Sequence, residues 1–197
     1  MVATVHVFFD FGGTDNSPGT PQDVDALGPP NLRFKTNDNA TIDTVDPIPI
    51  VASVTKYSYW KQIYLKVTAG TFTQIDNVKL YTDTTPFGTG IATYIGDEQP
   101  LHSSTVTTGY DLATGTPGDT GDRMDSGGNK HTDITARTNI FSFSSAAPKA
   151  ITISESGSKM DAIGETTNYA VVQMEVIDTA SPGDLADETW TYRYDEI

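Results

Sequence analysis

The chain has 197 residues, 37% of them hydrophobic, with 26 acidic residues against 12 basic ones and a formal net charge of −14. That length is ample for a hydrophobic core, and the negative field repels phosphate backbones, which argues against nucleic-acid binding through a basic face. Cysteine is absent, which excludes a disulfide framework, a thiolate metal site and a cysteine nucleophile.

The remaining composition leans towards strands and turns. Threonine is heavily used beside 17 Gly, 11 Pro, 9 Tyr and 8 Phe, while helix-favouring runs of Ala, Leu, Glu and Lys are nearly absent. At the N-terminus Ala3, Val5, Val7, Phe9 and Phe11 alternate with Thr4, His6 and Asp10, the period of a strand. Phe8 interrupts the polar face and predicts cover on both sides. This segment lacks the basic start and long apolar core of a secretory signal, and no stretch approaches the roughly 20 apolar residues of a membrane span.

Residues 12–30 are too rich in Gly, Pro and Asp for a regular element. A short strand is expected at 31–36, where Leu32 and Phe34 alternate with Arg33 and Lys35, followed by an acidic loop at 37–49 that ends in Pro47 and Pro49. Segment 50–68 is β-rich: Ile63, Leu65 and Val67 alternate with Tyr64 and Lys66. Further strands are expected at 72–82, 90–95, 102–107, 138–144 and 150–154. The most polar stretch, 111–133, reads as a second long loop, and long loops are often functional. The chain closes with strands at 168–177 and 188–197. In the last one Trp190, Tyr192 and Tyr194 share a face and are expected to pack inward near Val172, Met174 and Val176. About 8–10 short strands separated by turn chemistry predict an all-β fold, a single-domain antiparallel β-sandwich or jelly roll, with a barrel as the remaining option.

Candidate chemistry is sparse. The 111–133 loop carries Asp119, Asp122, Asp125, Asn129 and Asp133, oxygen ligands of the kind a structural calcium ion takes, although their spacing does not follow the EF-hand loop. Asp15, Asn16, Asp23 and Asp25 in the 12–30 loop are a weaker version of the same idea. His6, His102 and His131 lie far apart, without the ligand spacing of a zinc site. No metalloprotease, nucleophile-elbow or phosphate-loop motif occurs, so no catalytic residue and no cofactor is assigned, and the chain is expected not to be an enzyme. The aromatic run Tyr57, Tyr59, Trp60 and Tyr64 could form a glycan-binding platform if exposed, or core and interface packing if not. The segment Ile75-Asp76-Asn77-Val78-Lys79-Leu80-Tyr81 resembles the IDNV-type strand of carbohydrate-binding modules, which keeps a lectin-like function as an alternative.

The terminal module, AVVQMEV followed by IDTASPGD and ETWTYRYDEI over residues 168–197, resembles the closing hairpin of small acidic β-sandwich proteins encoded among phage structural genes, such as head-decoration and other accessory virion proteins. That resemblance implies a non-enzymatic subunit located in the virion, whose partners are its own copies or a major capsid or other lattice protein, with no nucleic acid and no membrane. Strand edges that template pairing with other chains fit such a role. The first strand carries no Lys or Pro to guard its edge, so it is expected to be an inner strand or to be covered by a partner. An extracellular filament subunit joined by strand exchange is a further alternative.

Overall fold

A computed structural model of the chain describes residues 2–27, 32–183 and 185–197. The first strands are β1 (Thr4–Asp10), β2 (Gly13–Thr14), β3 (Ser17–Pro18) and β4 (Gln22–Asp23). Next come β5 (Lys56–Tyr57), β6 (Lys61–Ala69), β7 (Ile75–Thr82) and β8 (Ile91–Gly96). The chain continues through β9 (Gly115–Thr116), β10 (Thr120–Gly121), β11 (Arg137–Asn139) and β12 (Lys149–Ala150), and ends with β13 (Ala170–Val176) and β14 (Trp190–Glu196). Helical structure among the described residues is limited to two 3₁₀ turns, Ile140–Ser142 and Ser156–Ser158. No helix there is long and apolar enough to cross a membrane.

The strands form an all-β antiparallel sandwich of two unequal sheets. The large sheet runs β11-β8-β13-β6-β1-β4, with β5 also paired to β13. The small sheet has only three strands, β12-β7-β14. At the centre of the large sheet, six of the seven residues of β13 are buried, the continuous apolar run of a strand covered on both faces. Alternation along β6 sends Ile63, Leu65 and Val67 to the face shared with the small sheet, where they join Phe9, Val172 and Ile95 against Ile75, Val78 and Leu80. Tyr64, with Tyr59, Trp60, Tyr110 and Tyr169, belongs to a second apolar cluster on the opposite face, roofed by the long connection between β8 and β11. Phe8 stacks on Tyr64 at 5.9 Å between ring centroids, so both faces of β1 are covered, as its sequence implied. β1 is an inner strand, paired with β6 through all seven of its residues and with β4 at Phe8 and Phe9.

Several sequence expectations change. Residues 168–177 and 188–197 do form strands, but not a hairpin: β13 pairs with β8 and β6 in the large sheet, whereas β14 pairs with β7 in the small one. Their connection therefore arches from one sheet to the other. Glycine at position 90 permits the crossing, since Gly90 has φ +76 and a Cβ there would lie 2.3 Å from the Ala180 nitrogen. The strand expected at 31–36 is absent over 32–36 (Asn31 is outside the described residues). There the Lys35 carbonyl accepts from the Tyr59 amide and the Thr36 amide donates to the Asp46 carbonyl, so this backbone anchors a loop. Segment 102–107 forms only a bridge between Ser103 and Val106. The strand expected at 138–144 stops at Asn139, whose side chain accepts from the Phe141 amide and starts a 3₁₀ turn. The 12–30 and 111–133 loops carry the short hairpins β2–β3 and β9–β10.

Candidate functional site

The unequal sheets leave part of the large sheet's inner face without a strand above it. Over that part lies a cleft of about 870 Å³. Its floor is apolar and crosses four adjacent strands: Val7 of β1, Ile63 of β6, Met174 and Val176 of β13, and Ile91 of β8. Val24, next to β4, extends the floor by one strand. With neighbouring strands about 4.8 Å apart, five strands give a floor roughly 19 Å wide. Trp190 and Tyr192 of β14 form one wall. The mouth is built from the 43–50 segment, including Val45, Ile48 and Ile50, and from the 180–189 connection.

Two features distinguish this wall from ordinary core. β14 is the last strand of the small sheet, so among the described residues one of its edges has no strand partner. In addition, the Trp190 Nε1–H and the Tyr192 hydroxyl are buried and make no hydrogen bond. Burial pushes the Tyr192 phenol well above its ordinary range, so it stays protonated as a donor. A buried donor left unpaired costs about 1–3 kcal/mol, and two of them on one wall mark a place where acceptors are missing.

The mouth is charged, with carboxylates in excess. Asp25, Asp43, Asp187 and Glu188 line it, against Arg33 and Lys35. Lys35 is almost fully buried and pairs with Asp43 at 2.7 Å, and that hydrogen bond holds the Asp43 carboxyl below its usual value. Burial together with nearby Asp83 raises Glu188. Exposed apolar side chains lie at the mouth, Val45 at 59% and Ile50 at 36%, and outside it, Val51 at 36%, Val54 at 44% and Ile177 at 37%. Ile50, Val51, Val54 and Ile177 adjoin one another, because Val51 and Val54 form a bridge, the Ser53 amide donates to Asp178, and Lys56 pairs with Val176.

The residues singled out from sequence fall elsewhere. Trp60, Tyr59 and Tyr64 are buried at 2%, 5% and 2% exposure, and Tyr57 is half-buried in β5. The exposed aromatic platform is therefore not formed. Trp60 donates to the Asp111 carbonyl and Tyr64 to Asp10, so this run serves core packing. The calcium candidates are scattered among other partners. Asp119 pairs with Lys56, and Asp125 with Arg123 and Arg137. Asp122 accepts from the Thr114 hydroxyl and from Asn129. Asp133 uses its backbone amide on the His131 ring.

One cluster joins two of the weaker oxygen-ligand candidates, Asp23 and Asp25, to a histidine that the sequence reading kept apart from them. His6, Asp23 and Asp25 bring a ring nitrogen and two carboxylates within 4.8 Å of one another, and His6 Nδ1 meets Asp23 at 2.7 Å. The hydrogen bond to Asp23 raises the His6 pKa. The signal was the Asp23-x-Asp25 pair, which β4 carries back beside β1. A buried lysine away from the cleft also stands out. Lys61 is pushed down to about 8 by burial, opposed by Asp38, whose carboxyl lies 3.8 Å away; neither lines the cleft.

Comparison with protein-family models, with curated proteins and with solved structures finds no match. Function has to be argued from the cleft and the edge of β14.

Proposed function

We propose that the protein is a non-enzymatic assembly subunit, of the capsid-decoration or virion-appendage kind, that works by docking onto a repeated lattice or onto copies of itself. The observation that carries this reading is the free edge of β14 beside an apolar cleft with a contiguous exposed apolar rim. Exposed apolar patches of this kind mark association surfaces, and an unpaired strand edge offers main-chain groups to a partner strand. The lectin-like alternative loses its platform with the burial of Trp60 and its neighbours. A filament joined by its N-terminal strand would have to withdraw β1 from a sheet in which all seven residues are paired.

Size-exclusion chromatography with light scattering over a concentration series, combined with co-sedimentation on assembled particles, tests the proposal. Oligomers or particle-dependent sedimentation are expected. A strict monomer that stays in the supernatant overturns it.

A further inference from the structure

We infer that the cleft receives an extended apolar segment of a different protein chain, flanked by lysine or arginine, laid beside the open edge of β14. This rests on the assembly reading and names its partner's chemistry. Three observations specify the occupant. The floor is apolar across five strands and gives room beside β14, whose seven residues set the length of extended chain that can lie along its edge. The wall presents the ring surfaces of Trp190 and Tyr192, apolar area against which the side chains of an extended segment pack. A small apolar ligand would also fill the volume, but it would leave the exposed rim of Val45, Ile50, Val51 and Val54 in water, whereas a chain entering from a partner's surface covers it.

Charge decides between a second copy and a different chain. With Lys35 and Asp43 paired to each other, Asp25, Asp187 and Glu188 stand against Arg33 around the mouth, and the whole chain carries −14. A second copy would bring a like-charged surface to a like-charged mouth, while basic flanks are drawn to it and screened by salt.

The test uses the full chain and two labelled synthetic peptides with a Val-Thr-Val-Thr-Val core, one flanked by lysine pairs and one by glutamate pairs, followed by fluorescence anisotropy. The lysine-flanked peptide is expected to bind at least about tenfold more tightly, a difference that shrinks as salt is added. Val45→Ser and Ile50→Ser, both at exposed positions, should weaken it severalfold at an unchanged melting temperature. Failure of the lysine-flanked peptide to bind, equal binding of the two, indifference to the rim substitutions, or tighter binding of laurate than of either peptide each overturns the inference. If the peptides fail while the protein still associates with particles or with itself, the inference falls and the assembly reading stands. If the protein neither oligomerises nor binds particles, the assembly reading falls with it.

Discussion

Both faces of the large sheet are covered in part by Trp and Tyr, and the two covers are finished differently. On the face roofed by the β8–β11 connection, four aromatic side chains have their polar atoms paired. Trp60 donates to the Asp111 carbonyl, Tyr110 to the Gly12 carbonyl, and Tyr64 and Tyr169 both to Asp10. On the other face, Trp190 and Tyr192 present the same indole and phenol groups with no acceptor. Single unpaired atoms occur elsewhere, at Thr93, Arg137 and Asn168, but Arg137 and Asn168 keep other hydrogen bonds. Buried polar groups in finished interiors are nearly always satisfied. The contrast therefore separates a face whose main aromatic donors are paired within the chain from one where two are not.

The largest expected effect separates the two tryptophans. Trp60 is 2% exposed and surrounded by Tyr59, Tyr64 and Met124, so Trp60→Ala should cost about 3–5 kcal/mol in urea unfolding. Trp190 borders the cleft and is only partly buried, so Trp190→Ala should cost about 1–2 kcal/mol. Equal losses would show that the cleft wall is packed as tightly as the sealed core.

The tyrosine hydroxyls sharpen the same contrast at smaller scale. Tyr169→Phe removes a donor from Asp10, a carboxylate that burial already raises and that the Tyr169 and Tyr64 hydroxyls hold down. It should destabilise by about 1–3 kcal/mol, because the acceptor stays buried. Tyr192→Phe removes a hydroxyl that bonds to nothing and should change stability by less than about 1 kcal/mol, towards greater stability. A Tyr192→Phe variant as unstable as Tyr169→Phe would mean that the Tyr192 hydroxyl has a partner within the chain.

Much of the fold was legible because period-2 alternation survives in strands with one buried face. β1, β6 and β14 place the side chains where their sequences assign them, and Trp190, Tyr192 and Tyr194 pack against the core. What alternation cannot carry is pairing. Nothing local in residues 168–197 distinguishes a hairpin from an arch, since both need two strands and a turn-rich connection; the difference lies in β7 and β8, which claim β14 and β13 separately. The aromatic run at 57–64 was ambiguous for a similar reason. Tyr and Trp suit an exposed platform and a core equally well, and the roof that buries them comes from residues some 50 positions away, as the Trp60–Asp111 bond shows. The cleft was least legible of all, because it is a mismatch in width between two sheets and no single segment encodes it.

The smallest effect concerns pH, and it falls on the sealed face. His102 lies against the rings of Tyr64 and Tyr169 at 4.1 and 4.3 Å between centroids, with Glu155 and Lys66 as its charged neighbours. Burial pushes it down to about 4. His131, beside Trp60 and near Asp111, Asp133, Lys130 and Asp15, is likewise pushed down to about 4 by burial. A histidine whose folded pKa lies below its unfolded value of 6.5 binds its proton more readily in the unfolded chain. Its contribution is complete above that value and is lost as pH falls from there towards 4. Asp10, Asp38 and Asp111 act in the opposite sense: burial raises them, so acidification relieves a cost already present at neutral pH. The wild-type curve is the sum of both. A His102→Gln variant isolates the histidine part, since glutamine cannot take up the proton. Between about pH 6.5 and about pH 5.5 the wild type should lose about 1 kcal/mol more than the variant, set by the fraction of one proton taken up on unfolding. Measured by urea unfolding at each pH, parallel curves would mean that the His102 ring is solvated, and the roofed face would then be no better sealed than the cleft.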